Sequence, residues 1–251
     1  NGGSMEVFVT RKIPEIGLNK VKENFKTDIN PHSRRLKKEE IIEGVKGKDA
    51  LLCLLTDEID EEIIEAGEDL KVISNYAVGY DNIDVEAATE RGIAVTNTPG
   101  VLTDATAEMA WSLIFAVTRN IVKGDKYVRE DKFEGWDPTL MIGHEVHNKT
   151  LGVIGMGNIG SCVARKADAF DMDVLYYNRS RKKDIEEEIG AKYVDKDTLL
   201  SKSDIVTIHV PLTDETEEMI SWEELDTMKE SSYLINTARG ELVETEALLE
   251  A

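Results

Sequence analysis

Short apolar runs alternate with helical patterns along the first hundred residues. Runs rich in Val, Ile and Leu have the length of strands, and the stretches between them carry apolar residues at helical spacing. Strands are predicted at 7–10, 50–55, 72–75 and 93–96, and helices at 14–24, 37–45, 61–66 and 85–91. Because strand–helix alternation of this kind builds a parallel sheet covered on both faces, we predict an α/β domain over residues 5–100.

A second alternation follows a long helix, predicted at 105–120 with Thr103 or Asp104 as its N-cap. A polar connection leads to Thr150, after which strands are predicted at 151–154, 174–177, 205–210 and 233–236, and a helix at 158–170. The pattern predicts a second α/β domain over 101–251, which includes the long helix, and a cleft between two doubly wound parallel-sheet domains. Ligands of such sheets bind at the carboxyl ends of the strands.

Composition and charge limit the ligands and the cellular location that we expect for the protein. The net charge of −20 argues against nucleic-acid binding, which needs clustered Lys and Arg. The sequence contains neither a signal peptide nor an apolar run that could cross a membrane, so we predict a cytoplasmic location. Cys53 and Cys162 are predicted to be reduced, buried thiols. Residues 1–4 are predicted to be a cloning remnant before a natural start at Met5, and His, Cys and acidic residues show no spacing typical of a metal site.

A glycine-rich motif follows the strand at 151–154 and opens the next helix. It reads Gly155-Met156-Gly157-Asn158-Ile159-Gly160, the G-x-G-x-x-G pattern. Its glycines suit a tight turn, close approach of a pyrophosphate and close helix–strand packing, and the helix N-terminus offers N–H groups to phosphate. The alternative, a glycine-rich turn without a ligand, does not account for the strand before and the helix after. We therefore predict a Rossmann dinucleotide-binding domain.

The end of the next strand bears on the choice of cofactor. NAD sites usually place Asp or Glu there, whereas this chain has Asn178-Arg179-Ser180. Arg179 can pair with a 2′-phosphate and Ser180 can donate to it, so we predict that NADP(H) is favoured over NAD(H). The alternative is that Arg179 is a solvent-facing loop residue and that either cofactor binds.

Four further motifs are distinctive. They are Val78-Gly79-Tyr80-Asp81-Asn82-Ile83-Asp84, Thr96-Asn97-Thr98-Pro99-Gly100-Val101-Leu102-Thr103, His209-Val210-Pro211-Leu212-Thr213 and Asn236-Thr237-Ala238-Arg239-Gly240. With these motifs the sequence resembles the D-isomer-specific 2-hydroxyacid dehydrogenase family and, within it, archaeal glyoxylate reductases, from about Met5 to Ala251. The resemblance implies a flavodoxin-like substrate domain followed by a Rossmann cofactor domain, and hydride transfer from NAD(P)H to a small 2-oxo acid such as glyoxylate or hydroxypyruvate.

The resemblance also implies roles for single residues. N–H groups of Val78 and Gly79 would hold the substrate carboxylate, and Arg239 would grip the 2-oxo acid and polarise its carbonyl, a surface salt bridge being the weaker alternative. Leu54 would lie near the substrate, although a core position explains it equally well. Trp136 would reach a partner subunit's substrate or anchor a homodimer interface, which the tryptophan-bearing helix at 105–120 supports. The cofactor would contact Thr103, Gly155 to Gly160, Asn178, Arg179, Ser180, Val210, Pro211, Thr237, Ala238 and Arg239.

One element of the family pattern is missing from the sequence. The family uses a Glu–His pair as proton donor, downstream of the arginine motif and beyond Ala251. The sequence also stops within an apolar helical pattern at 247–251. We therefore expect an incomplete Rossmann domain and negligible reduction of glyoxylate by these 251 residues alone. None of His32, His144, His147 and His209 is predicted to be a replacement, and His209 is expected to make a structural hydrogen bond.

Two alternative functions are compatible with the same motifs. Within enzymes, a hydroxypyruvate reductase or a 3-phosphoglycerate dehydrogenase would carry the same motifs, because substrate specificity depends on pocket shape. Outside enzymes, a dinucleotide-sensing binding protein similar to a transcriptional corepressor would keep the cofactor site.

Overall fold

A computed structural model describes residues 4–251 and divides the chain into two compact units, one ending at Val101 and the other spanning Leu102–Ala251. This division lies one residue from the boundary expected at 100/101. The predicted cloning remnant at 1–4 falls outside the described residues except for Ser4. In the part of the chain that the structure describes, no helix has the length and apolar character needed to cross a bilayer.

The first unit is a five-stranded parallel sheet flanked by helices. The strand order is β2-β1-β3-β4-β5, so the chain reverses its direction of travel across the sheet between β1 and β3. Its elements are β1 (Glu6–Val9), α1 (Glu15–Asn24), β2 (Lys26–Ile29), α2 (Lys38–Val45), β3 (Ala50–Leu54), α3 (Glu61–Ala66), β4 (Val72–Tyr76), α4 (Val85–Glu90) and β5 (Ala94–Thr96).

The core of this unit forms where the predicted apolar runs pack against the predicted helices. Leu51 and Ile73 on the strands are fully buried together with Ile63 on α3. Two of the helices begin at aspartates whose carboxylates cap them: Asp60 accepts from the N–H of Ile63, and Asp84 from that of Ala87. Strand β2 is not among the predicted strands, because it lies at the half-exposed edge of the sheet and carries polar residues at alternate positions.

The second unit is also built on five parallel strands. Their order, β10-β9-β6-β7-β8, places the topological switch between β6 and β9, which is where doubly wound sheets bind ligands. The strands are β6 (Thr150–Ile154), β7 (Asp173–Tyr177), β8 (Lys192–Tyr193), β9 (Ile205–Ile208) and β10 (Tyr233–Asn236). The helices are α5 (Thr103–Thr118), α6 (Ile121–Arg129), α7 (Asn158–Ala167), α8 (Lys183–Ile189), α9 (Lys196–Lys202), α10 (Trp222–Thr227) and α11 (Thr245–Glu250), with 3₁₀ turns at Asp168–Phe170 and Gly240–Leu242.

The long helix differs from its prediction in two respects. It begins at Thr103 with Leu102 at the N-cap position and no capping side chain, so the prediction that Thr103 or Asp104 caps it is wrong. Its tryptophan, Trp111, is buried in the core and donates from Nε1 to the carbonyl of Val163 at 3.1 Å. The tryptophan of this helix therefore stabilises the unit from within and gives no support to a dimer interface.

The connection after this helix contains an element that the sequence analysis did not predict. Helix α6 spans Ile121–Arg129 and has no buried residues. Ile121, Val122 and Val128 are exposed on it instead. Because short helices are recognised from an apolar stripe that faces a core, a helix whose apolar residues face outward was not distinguishable from a polar connection.

Candidate active site

The glycine-rich turn lies where three strands of the second unit meet. Gly155 follows β6 with φ of +95°, a conformation that favours glycine. A Cβ at this position would lie 2.6 Å from the carbonyl oxygen of His209, just beyond β9. The Gly155 N–H donates to the carbonyl of Tyr177, at the end of β7, at 2.9 Å. The turn is therefore fixed between β7 and β9 at the topological switch.

The last glycine of the motif fixes the helix onto the turn. A Cβ on Gly160 would stand 1.9 Å from the carbonyl oxygen of Gly155, so only glycine allows this packing. By contrast, a Cβ at Gly157 would meet no atom within 4 Å. Gly157 is the N-cap residue of α7 and supplies no side chain to its first N–H groups. The turn therefore presents an open surface and uncapped helix N–H groups, as phosphate binding requires.

The other residues of the motif have different environments. Met156 is buried, Asn158 is exposed and Ile159 is half-buried against the core. A cavity of about 420 Å³ opens beside the turn and is lined by Thr103, Gly157 and Asn158.

The cavity also has lining residues that the sequence analysis did not identify. Lys182, next to the start of α8, and Arg165 on α7 bring cationic groups to it, and Asp104 and Asp184 bring carboxylates. Arg165 is paired with Glu188, with its Nε 2.7 Å from Oε1. Lys182 lies only two residues after the Asn178-Arg179-Ser180 motif, and Arg165 lies at helical spacing from the turn. Those two spacings are the signals that could have identified them.

Asn178 has a role in the protein itself. Its Oδ1 accepts from the N–H of Met156 at 3.2 Å, and its Nδ2 donates to the carbonyl of Ser180 at 2.8 Å. The side chain thus ties the glycine turn to the end of β7. Asn178 is predicted from the sequence as a cofactor contact, but its bond to Met156 is not, because the two residues lie in different segments of the chain.

The two arginines after Asn178 differ in their partners. Arg181 forms a forked pair with Glu186, with Nε–Oε1 and Nη2–Oε2 distances of 2.7 Å. The Arg181 guanidinium, and then the Tyr176 hydroxyl, lower the pKa of the Glu186 carboxyl to about 2. Arg179 is exposed, and among residues 4–251 its guanidinium forms neither an ion pair nor a hydrogen bond. No carboxylate occurs at positions 178–180.

These observations test whether a dinucleotide fits. An open glycine, uncapped helix N–H groups and nearby cationic side chains suit a pyrophosphate, and the exposed Arg179 suits a phosphorylated ribose. The Thr237 hydroxyl is a buried polar atom without a hydrogen-bond partner among the described residues. The residues present therefore fit a dinucleotide cofactor.

The segment after β10 forms a hydrogen-bonded turn that contains Arg239. Asn236 closes this turn, because its Nδ2 donates to the carbonyl of Arg239 at 2.6 Å and its Oδ1 accepts from the N–H of Ala238 at 2.9 Å. Arg239 is half-buried, and its Nη1 donates to the carbonyl of Ala238 at 3.1 Å. Thr237 and Ala238 are half-buried in the same turn.

His209 has the environment of a structural histidine. Its Nε2 lies 2.8 Å from the hydroxyl of the buried Thr207. Burial lowers the pKa of the imidazole to about 4, so the ring is neutral at neutral pH. Strand β9 ends at Ile208, two residues earlier than predicted, so that His209 and Val210 lie in the turn beyond it and Pro211 is exposed.

In the first unit, the loop after β4 carries the two residues expected to bind a carboxylate. Val78 and Gly79 are half-buried, and their carbonyls accept from Asn97 Nδ2 at 2.7 Å and Asn75 Nδ2 at 2.9 Å. Within the described residues, neither the Val78 nor the Gly79 N–H donates a hydrogen bond. The loop therefore offers two adjacent backbone donors.

The remaining predicted residues are placed as follows. Leu54 ends β3 and packs, half-buried, against the apolar cluster that contains Val7 and Val9. Trp136 is 85% exposed in the connection after α6. Cys53 is buried, as expected, but Cys162 is only half-buried at the cavity, so the prediction of two buried thiols is wrong for Cys162. Residues 4–251 contain no group of His, Cys, Asp and Glu side chains that could hold a metal ion.

The switch-point turn, its strand order and the cationic groups around it define the second unit as a Rossmann dinucleotide-binding domain, and the chain as a cofactor-dependent α/β protein. Residues 111–251 match the sequence profile of the D-isomer specific 2-hydroxyacid dehydrogenase, NAD binding domain. The chain is 51% identical to the glyoxylate reductase of Korarchaeum cryptofilum over 246 residues, which are 98% of this chain and 74% of that relative.

Solved structures agree with this comparison. A protein from Thermus thermophilus superimposes with a TM-score of 0.91 at 42% identity, covering 98% of this chain and 78% of that one. A glyoxylate reductase from Paecilomyes thermophila gives a TM-score of 0.87 at 32% identity, covering 100% and 78%. The chain belongs to the D-isomer-specific 2-hydroxyacid dehydrogenase family, and it is an oxidoreductase with a nicotinamide dinucleotide cofactor. The predictions of family, fold class and enzyme class are confirmed.

Proposed function

We propose that this protein reduces glyoxylate, or the related hydroxypyruvate, to the 2-hydroxy acid, with NADPH as the preferred reductant, in the cytoplasm. The observation that carries the proposal is the 51% identity to a glyoxylate reductase over a chain whose glycine turn is fully formed. The two free cysteines are compatible with a reducing compartment.

The preference for NADPH rests on the two arginines beyond β7. Because the Arg181 guanidinium forms an ion pair with Glu186, the Arg179 guanidinium is the one available to a 2′-phosphate. The exposed Ser180 hydroxyl is a second donor for it. A carboxylate at 178–180 would repel that phosphate, and none is present there.

The second unit would hold the cofactor by its backbone as much as by its side chains. The N–H groups at the start of α7 and the side chain of Thr103 would bind the phosphates. Val210, Pro211, Thr237 and Ala238, at the carboxyl ends of β9 and β10, would line the rest of the site. When bound, the nicotinamide supplies the hydride for the carbonyl carbon of the substrate.

Each unit by itself carries groups with a proposed role toward the substrate. In the first unit, the Val78 and Gly79 N–H groups would hold the carboxylate and Leu54 would contact the carbon side of the substrate. In the second unit, Arg239 would stabilise negative charge that develops on the carbonyl oxygen, because the turn that Asn236 closes holds the Arg239 backbone at the carboxyl end of β10. The first unit is thus proposed as the substrate domain and the second as the cofactor domain.

We further propose that the protein forms a homodimer through α6 and the segment that follows it. Val122 is 70% exposed on α6, Trp136 is 85% exposed and Ile142 is 70% exposed. Asn120 holds the last of these beside the start of α6, since its Nδ2 donates to the carbonyl of Ile142 at 3.1 Å. Exposed aromatic and aliphatic side chains in such numbers are typical of an interface rather than of free surface.

The test of this function combines binding with a single turnover. Fluorescence titration gives the affinities for NADPH and NADH, and oxalate, a dicarboxylate analogue of glyoxylate, probes the substrate site without any proton transfer. Glyoxylate mixed with the NADPH complex is then assayed for glycolate. Tight binding of both NADPH and oxalate supports the proposal, and any glycolate that forms identifies the reaction. NADPH binding without affinity for oxalate, glyoxylate or hydroxypyruvate contradicts it and favours a dinucleotide-sensing protein.

A further inference from the structure

Three successive backbone carbonyls of the loop after β4 accept hydrogen bonds from side chains of nearby residues, and the first of them also accepts from a backbone N–H. The carbonyl of Ala77 accepts from the N–H of Thr98 at 2.9 Å and from its Oγ1 at 3.0 Å. The carbonyl of Val78 accepts from Nδ2 of Asn97 at 2.7 Å, and that of Gly79 accepts from Nδ2 of Asn75 at 2.9 Å. The carbonyls of Ala77, Val78 and Gly79 therefore all point toward the residues that donate to them.

Peptide geometry converts these contacts into a direction for the donors. The described chain contains no cis peptide bond, and in a planar trans peptide the C=O of one residue and the N–H of the next point in opposite directions. Thr98, through Ala77, therefore orients the N–H of Val78, and Asn97, through Val78, orients the N–H of Gly79. Both N–H groups point away from the side chains that hold the loop, and both lack an acceptor among the described residues.

We infer that Asn97 is a positioning residue that aims the Gly79 N–H at the substrate carboxylate, and that Thr98 does the same for the Val78 N–H. The inference rests on the proposed function, in which these two donors bind that carboxylate. A two-donor anion site depends on fixed donor directions, because a mobile loop would have to be ordered at each binding event.

The two positioning residues are not equally replaceable. Thr98 holds its carbonyl twice, once through its backbone N–H, so loss of its hydroxyl leaves one contact in place. Asn97 holds the Val78 carbonyl only through its side-chain amide. Removal of this amide therefore frees the 78–79 peptide plane while the 77–78 plane stays fixed. A general loosening of the fold would release both planes together.

The test is an NMR titration of ¹⁵N-labelled protein with oxalate, with and without saturating NADPH. It compares the amide resonances of Val78 and Gly79, because the two peptide planes should respond differently to loss of the Asn97 amide. The variants are Asn97→Ala, the isosteric Asn97→Asp and, as matched control, Thr96→Val, whose hydroxyl contacts Ser74 Oγ at 3.2 Å and not the loop. In the unaltered protein, oxalate should shift the amide resonances of both Val78 and Gly79. Asn97→Ala should weaken oxalate binding on the order of tenfold, as loss of one fixed donor implies. The oxalate-induced shift should shrink at Gly79 and persist at Val78, with melting temperature and NADPH affinity unchanged.

Each outcome separates the inference from the function on which it rests. If oxalate shifts neither amide in the unaltered protein, this loop is not the carboxylate site, and both the inference and that part of the proposed function are wrong. If oxalate shifts both amides and Asn97→Ala binds it with full affinity, the site stands and Asn97 does not position it. If Asn97→Ala loses both amide shifts together with thermal stability, its role is structural and the inference is overturned. Thr96→Val should behave as the unaltered protein, and Asn97→Asp should be at least as impaired as Asn97→Ala because it places a carboxylate against a carbonyl.

Discussion

Burial of His209 makes the stability of the protein depend on pH in a definite window. The pKa of the ring falls from 6.5 to about 4 in the folded state. Between these values the unfolded chain binds a proton that the folded protein does not, so stability falls as the pH is lowered from about 6.5 and the loss is complete below about 4. A shift of this size corresponds to roughly 3 kcal/mol at full effect, and to nothing at pH 7 or above.

Carboxylates contribute in a different range. The pKa values of Glu186 and Glu224 are lowered to about 2, so the stability that these groups contribute is lost only as the pH falls below about 4.5, their ordinary range. The interval from about pH 6.5 to about pH 4.5 therefore reports mainly on His209.

The assay is urea unfolding at a series of pH values, with His209→Gln as the perturbation, because glutamine keeps a polar atom near Thr207 and cannot be protonated. The free energy of unfolding of the unaltered protein should fall across this interval, and that of His209→Gln should change much less. A ¹H–¹³C NMR titration of the ring provides a second measurement should the variant unfold. A ring that titrates near pH 6.5 in the folded protein would refute this reasoning and make His209 a candidate proton donor after all.

Three further outcomes are expected from the structure. Arg179→Ala should weaken NADPH binding by about 1–3 kcal/mol, or roughly 5- to 150-fold, and leave NADH binding unchanged. The control Arg181→Ala should lower the melting temperature and keep the cofactor preference. Equal NADPH and NADH affinities in the unaltered protein would contradict the NADPH proposal. Arg239→Lys should keep NADPH affinity and lose most turnover, since an ammonium cannot reproduce a planar fork, and near-normal kinetics would remove Arg239 from the mechanism. Trp136→Ala should shift the protein from dimer to monomer in sedimentation equilibrium, and a monomeric unaltered protein would rule out the proposed interface.

The sequence predicted the elements that are recognisable from their own residues. Continuous apolar runs such as those of β3 and β6 have the composition of buried parallel strands, and both were predicted to within one residue. Strand β8 has only two residues, both exposed, so its sequence carries no strand signal. Helix α6 was missed for a related reason, because its apolar residues do not face a core.

Within the candidate site, the glycines were predictable and the supporting contacts were not. Gly155 and Gly160 have a fixed spacing, and their necessity follows from the local chain path. Asn178 and Asn97 act on segments more than fifteen residues distant, Met156 and Val78 respectively. Contacts of this kind depend on which strands lie side by side, and a single sequence does not give that order.

The tie made by Asn178 has a consequence for how cofactor choice can change. Asn178, which anchors the glycine turn, and the residues proposed to face the ribose are neighbours in sequence, yet the side-chain contacts of Asn178 reach only backbone groups. An engineer who wished to retune the enzyme toward NADH could exchange Arg179 and Ser180 and leave Asn178 in place, without disturbing the geometry of the glycine turn. If the proposed roles of Arg179 and Ser180 hold, the same separation opens an evolutionary route, since substitution at two exposed positions would alter the reductant and leave the glycine turn unchanged.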